Sequence, residues 1–180
     1  RVNALGYPKT IVDKGWIYGV WYCGTGFQKS IYYGQYPKTF VKRVLAMFPV
    51  PPTTMLHLCC GRCHIDGAVN VDAMPLPEAD LIGDAEGPLP LESGSFGVVL
   101  IDPPYSEEDA SRYGVRRLVR AKAVMAESER LLKPGGWLLW LDEKYPVFHR
   151  KDNWQLRGLV SVVTGAGRRA RLLSFFQIGP

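Results

Sequence analysis

The residues best suited to chemistry are Asp102-Pro103-Pro104-Tyr105, which directly follow the apolar run Val98-Val99-Leu100-Ile101. Two consecutive prolines fix the backbone and remove two N–H donors. Their carbonyls are then left to point outward at the end of a strand. A carboxylate and a proline carbonyl are both acceptors, and an exocyclic amino group offers two N–H donors to match them. Tyr105 adds an aromatic face on which a planar ring can stack. The bland alternative is an aspartate turn capped by prolines. Glu107, Glu108 and Asp109 follow at once, and their charge suits the first turn of a helix.

Other residues could do different chemistry. Cys60-Gly61-Arg62-Cys63-His64 fits the Cys-x-x-Cys-His pattern of c-type haem attachment, which would need an exported chain and a distal ligand. Cys59, Cys60, Cys63, His57 and His64 could supply two or three zinc ligands, but no second Cys-x-x-Cys completes a tetrahedral site. Small apolar cysteines packed at a strand end are the simpler reading, and no metal is expected. Three of the four cysteines fall within five positions, which does not suit a disulfide framework and points to a reducing, cytoplasmic setting.

The elements that must position these residues are readable. Lys38–Phe48 has Phe40, Val41, Val44, Leu45 and Phe48 at helical spacing, and Pro49, Pro51 and Pro52 end it. Short, nearly continuous apolar runs follow at Met55–Cys60, Ala68–Asp72, Ala79–Gly83, Val98–Ile101 and Trp137–Leu141, as expected of strands covered on both faces of a parallel sheet. A helix is expected over 112–132, then a tight turn at Lys133-Pro134-Gly135-Gly136. Leu159–Val163 and Ala170–Ile178, around Gly165-Ala166-Gly167, predict a closing antiparallel hairpin. The link from Gly61 to Gly67 is too short for a crossover helix. Residues 16–36 are rich in aromatics and glycine and read as a hairpin about Gly24-Thr25-Gly26 or an irregular aromatic lobe.

Asp102–Tyr105 resembles the catalytic motif of S-adenosylmethionine-dependent amino-methyltransferases, which act on adenine N6 or cytosine N4. The resemblance runs over residues 34–141. Met55–Gly61 is similar to the family's first strand and cofactor turn, although Cys59-Cys60-Gly61 lacks the usual acid and extra glycines. The resemblance implies a cofactor site of Tyr36, Cys59, Cys60, Gly61, Asp72, Asp84 and Asp102, with Asp72 on the ribose hydroxyls and Asp84 beside the adenine. Gly34–Phe40 is similar to the segment over the methionine end, and Leu131–Gly136 to the turn before the fifth strand. The implied fold is an α/β class I methyltransferase (Rossmann-like) sandwich with a mostly parallel seven-stranded sheet and an antiparallel closing hairpin. Residues 1–37 would form an N-terminal aromatic lobe and 38–180 a catalytic core, in one domain with no separate target-recognition domain. The implied catalytic residues are Asp102, Pro103, Pro104 and Tyr105, and the implied activity is methyl transfer to a nucleic-acid base, adenine N6 in DNA first. RNA-base and protein-glutamine methyltransferases share the amino-group logic, but often carry Asn where this chain has Asp102. A non-catalytic adaptor of the same fold is the remaining alternative.

Charge agrees with a polyanionic partner. The 180 residues carry net charge +5, unevenly spread. Residues 1–50 have seven basic and one acidic residue, 51–110 one and eleven, and 111–180 fourteen and five. The acidic middle holds the motif and the cofactor acids, so the basic flanks are left to meet a nucleic acid. Candidate phosphate contacts are Arg116, Arg117 and Arg120, expected on one helical face, and Arg168, Arg169 and Arg171 at the hairpin. Solvated surface is the alternative for each cluster. No apolar run reaches the roughly 18 residues of a membrane helix, and no membrane partner is expected. A homodimer or a partner subunit would supply target recognition.

Overall fold

Met55–Leu58 forms strand β3, and all four of its residues are buried. This is the outcome expected of a nearly continuous apolar run, broken only by His57, in a sheet covered on both faces. The structure is a computed structural model, and it describes residues 10–23, 36–37, 39–48, 54–149, 152–163 and 170–179. The other strands are β1 (Ile11–Asp13), β2 (Trp16–Tyr22), β4 (Val69–Asp72), β5 (Leu81–Ile82), β6 (Phe96–Ile101), β7 (Leu132–Asp142), β8 (Trp154–Val163) and β9 (Arg171–Ile178). Three helices are described: α1 (Phe40–Met47), α2 (Glu107–Arg112) and α3 (Ala121–Leu131).

Among the described residues the strands make one sheet in the order β1-β2-β8-β9-β7-β6-β3-β4-β5. Strands β5, β4, β3, β6 and β7 are parallel to their neighbours, and β9 runs antiparallel between β7 and β8. From β3 the chain steps outward to β4 and β5, then returns to lay β6 and β7 on the other side. The direction of winding therefore reverses between β3 and β6, and open α/β sheets bind ligands beyond the carboxyl ends of strands at such a point.

Alternation sorts the side chains onto two faces. Val98, Leu100, Leu139 and Leu141 pack with Phe40 and Val44 of α1 and with Phe175 and Trp21. Val99, Ile101, Leu138 and Trp140 pack with Val124, Met125 and Leu131 of α3. No helix occurs between β3 and β4 or between β4 and β5. The first of these absences matches the short Gly61–Gly67 link.

Several expectations are corrected. The sheet has nine strands rather than seven, because β1 and β2 extend it beyond β8. Strand β2 pairs parallel with β8, and Gly158 makes the approach feasible, since a Cβ there would collide with the Ile17 backbone. The N-terminal hairpin turns at Lys14-Gly15, both with positive φ, a two-residue connection between β1 and β2. Gly24-Thr25-Gly26, Phe27, Tyr32 and Tyr33 lie outside the described residues. Of the helix expected over 112–132 only α3, Ala121–Leu131, is helical; residues 113–120 are not, and α2 is a separate short helix that ends at Arg112. Gly114, at φ +76, breaks the path. The buried side of α3 is then Val124, Met125, Ser128 and Leu131, while Ala126 is exposed. Lys133–Gly136 loops out within β7, where Phe96 pairs Leu132 but Val98 pairs Trp137.

Candidate active site

The carboxyl ends of β3, β4 and β6 open into one cavity of about 1010 Å³. Its wall includes Tyr36, Cys59, Cys60, Gly61, Asp72, Asp84 and all of Asp102–Tyr105. Every residue implied by the resemblance for cofactor binding or catalysis therefore lies on this one surface. Past β3 the chain turns through Cys59 (φ +53) and Gly61 (φ +53). The Cys60 N–H donates to the Val71 carbonyl at 3.1 Å. The Gly61 N–H donates to Asp72 Oδ2 and the Met74 N–H to Asp72 Oδ1, both at 2.9 Å. These bonds fix the Asp72 carboxylate at the mouth of β4, with one N–H on each oxygen and lone pairs to spare.

Asp102 follows β6 directly. Tyr105 donates its hydroxyl hydrogen to Asp102 Oδ1. Arg171, the first residue of β9, donates from one guanidinium nitrogen to Asp102 Oδ2 at 3.4 Å and to the Tyr105 hydroxyl at 2.9 Å. Burial pushes the Asp102 carboxyl up to about 6, against the opposing pull of Arg171 and the Tyr105 hydrogen bond; Asp142 adds to the rise. Burial, reinforced by the neighbouring Asp102 charge, holds the Tyr105 phenol far above its ordinary range. Among the described residues nothing hydrogen-bonds to the carbonyls of Pro103 or Pro104. Ser106 caps α2 by accepting from the Asp109 N–H, and Glu107, Glu108 and Asp109 form its first turn as expected. A second cavity, about 810 Å³, lies against Pro103, Pro104 and Tyr105 as well, and is lined by α3 and the segment after β7.

The arginines divide differently from expectation. Arg171 is engaged with Asp102 and Tyr105 rather than displayed for phosphate. Arg117 and Arg120 both bind Glu86: Arg117 grips its carboxylate with both terminal nitrogens, and Arg120 through its backbone N–H and Nε. These bonds, Arg117's foremost, hold the Glu86 carboxyl down at about 2. Arg116, Arg117 and Arg120 share no helical face, because residues 113–120 are not helical. Arg116 is exposed at the cavity rim. Arg168 and Arg169 lie outside the described residues.

The cysteines are all free thiols. Burial pushes Cys60 up to about 12 and Cys63 up to about 11, and raises Cys59 as well. Protonated thiols are poor metal ligands and weak nucleophiles. Among the described residues no group of three or more His, Cys, Asp or Glu side chains is placed to hold a metal.

Three participants carry little sign of their role in sequence. Glu86 has no signal beyond its charge. Arg171 reads as a basic residue, but nothing in sequence brings it across 69 positions to Asp102. His57 reads as a candidate metal ligand; its position in a fully buried strand is the available sign that it must be hydrogen-bonded.

No family model matches the chain, and no curated protein is significantly similar to it. Solved structures do resemble it. TrmN from Thermus thermophilus aligns at a TM-score of 0.48 and 13% identity, over 76% of this chain and 47% of that one. The Escherichia coli protein yhhF, named as a methyltransferase, aligns at 0.46 and 13%, over 78% and 84%. HI0767 from Haemophilus influenzae, named as a methylase, aligns at 0.42 and 14%, over 78% and 89%. At these scores the likenesses lend no weight to a function, and the site geometry alone must carry it. No helix among the described residues is long and apolar enough to cross a membrane.

Proposed function

We propose that this chain is an S-adenosylmethionine-dependent methyltransferase acting on an exocyclic amino group of a nucleic-acid base, adenine N6 in DNA first. The observation that carries this reading is the grouping, at the cavity beyond a strand-order reversal, of the Asp102 carboxylate, two unengaged proline carbonyls and the Tyr105 ring. That set is rich in acceptors beside an aromatic face, the complement of a planar ring bearing an –NH₂.

The cavity residues suit the cofactor. Asp72 presents a fixed acceptor for a pair of ribose hydroxyls, and Asp84 stands further along the same wall. Cys59, Cys60 and Gly61 form the turn after β3, and Tyr36 lines the same cavity. A turn with Cys63 in place of a second glycine is compatible with a ligand that carries no diphosphate. Bound here, the cofactor supplies a methyl group on a sulfonium.

The chain's own residues do the rest. Asp102 and the Pro103 carbonyl accept the amino hydrogens, which draws the nitrogen toward a pyramidal shape and frees its lone pair from the ring. Tyr105 holds the base plane. The nitrogen becomes more positive as it gains carbon, and preorganised acceptors stabilise that charge. A carboxyl near 6 is matched to take the departing proton close to neutral pH. A base in a duplex reaches this site only by flipping out. Arg116, exposed at the cavity rim, is a described arginine that would meet the backbone, and Arg168 and Arg169 are further candidates. Residues 1–37 and 38–180 act as one domain in the cytoplasm, and a second copy or a partner subunit supplies target recognition.

The test is transfer of a tritiated methyl group from the cofactor to DNA, RNA and protein. DNA labelling that Asp102→Ala abolishes, with cofactor binding retained, supports the proposal. Retained transfer in Asp102→Ala refutes the role of the motif, and labelling of RNA or protein alone reassigns the substrate.

A further inference from the structure

A buried chain of hydrogen bonds fixes which way one cavity oxygen faces electrostatically. His57, fully buried on β3, bonds through Nδ1 to Asn70 Oδ1 and through Nε2 to the Tyr36 hydroxyl, both at 3.0 Å. Asn70 leaves no ambiguity about its amide. Its Nδ2 donates to the carbonyls of Ile65 and Ala68 and to Asp80 Oδ2, while Oδ1 accepts the Ile65 N–H. The ring nitrogen facing Oδ1 must therefore carry the hydrogen. Burial pushes His57 down to about 4, so the ring is neutral and has only that one hydrogen. Nε2 is then an acceptor, and the Tyr36 O–H must be the donor.

Tyr36 thus spends its only hydrogen on His57. Tyr36 lines the cavity, and any further partner of its oxygen there meets lone pairs alone. Its ring is held in place by stacking on Phe40, with centroids 4.8 Å apart, and tilts against His57. Tyr36 and Asp102 line the same cavity; burial, and then the Asp102 charge, holds the Tyr36 phenol well above its ordinary range. An oxygen that can only accept favours a positively charged group or one with polarised C–H bonds, and discriminates against an uncharged one of similar shape.

Building on the proposed cofactor, we propose that Tyr36, oriented by His57, makes the cavity prefer the methylated sulfonium form over the uncharged thioether left after transfer. Tyr36 is the specificity-determining residue, and His57 is a positioning residue acting through it. Product release is thereby favoured by the same oxygen that helps hold the charged form.

The experiment is calorimetric titration of the full chain with S-adenosylmethionine and with S-adenosylhomocysteine. In Tyr36→Phe the ratio of the two affinities falls by about 2–5-fold, the equivalent of one polarised C–H contact. His57→Phe keeps a ring, removes the acceptor and lowers the ratio in the same direction; the double variant adds little to either. Far-ultraviolet circular dichroism confirms that each variant folds. Equal loss of both affinities, or an unchanged ratio in folded Tyr36→Phe, overturns the inference while leaving the cofactor reading intact. Wild-type chain that binds neither ligand overturns both.

Discussion

Replacing Arg171 with Met removes the cation that, among the described residues, touches Asp102, while roughly keeping side-chain volume. The contact is 3.4 Å, with both side chains 18% exposed. Two unit charges at that distance attract by about 5 kcal/mol at an effective dielectric constant of about 20, which sets a ceiling. An opposite charge this near typically moves a carboxyl by about 1–3 pH units, or about 1.4–4 kcal/mol. The Asp102 midpoint is therefore expected to rise from about 6 to about 7–9. The sign follows from the states: Arg171 favours the carboxylate, so its loss favours the protonated acid. At pH 7 the carboxylate outnumbers the acid by about tenfold in the wild type, and at most equals it in the variant. Carboxyl ¹³C chemical shifts followed against pH, with the Asp102 signal identified by its absence in Asp102→Asn, measure this directly. Methyl-transfer rates should show an acid limb displaced by the same amount. Arg171→Lys, which keeps the charge, should return most of the midpoint. A midpoint in Arg171→Met that stays near 6 or falls would show that Arg171 does not govern the ionisation of Asp102.

The surrounding geometry yields further expectations. Glu86→Gln releases Arg117 and Arg120 from their shared carboxylate, so non-specific DNA retention should rise and its salt dependence steepen by about 1–2 in the log–log slope, read by filter binding across a salt series. Glu127→Ala strips the buried Leu89 N–H of its acceptor and Arg130 of its partner, costing about 1–3 kcal/mol in urea denaturation. Leu139→Ala opens the fully buried face beneath α1 and should cost about 2–5 kcal/mol by the same measurement. Asp72→Ala removes the acceptor beside the cofactor turn and should abolish calorimetric binding of S-adenosylmethionine while the chain stays folded.

Much of the frame was legible because burial on both faces leaves a plain mark. Val98–Ile101 and Leu138–Leu141 are apolar without interruption, Met55–Leu58 is broken only by His57, and each forms a central strand. The site was legible where chemistry and strand end coincide, as at Asp102–Tyr105. What failed was governed by contacts distant in sequence. Arg117 and Arg120 look like a helical phosphate-binding face until Glu86, more than 30 positions away, is brought beside them. The break at Gly114 lay within a sequence that otherwise keeps helical spacing, and a single left-handed residue sufficed to end it. The nine-strand count depended on β2 finding β8, a pairing across some 140 residues that turns on the missing side chain of Gly158.

The position of β9 also bears on the order in which the protein can become itself during synthesis. Although β9 follows every other described strand in the chain, it lies not at a margin of the sheet but between β7 and β8, and its first residue pairs with the Asp102 carboxylate. A nascent chain ending before residue 171 would present two unpaired inner edges, the kind of surface that invites association between chains. It would also hold Asp102 without its counter-charge. The cover for those edges and the counter-charge of Asp102 thus arrive together, with β9.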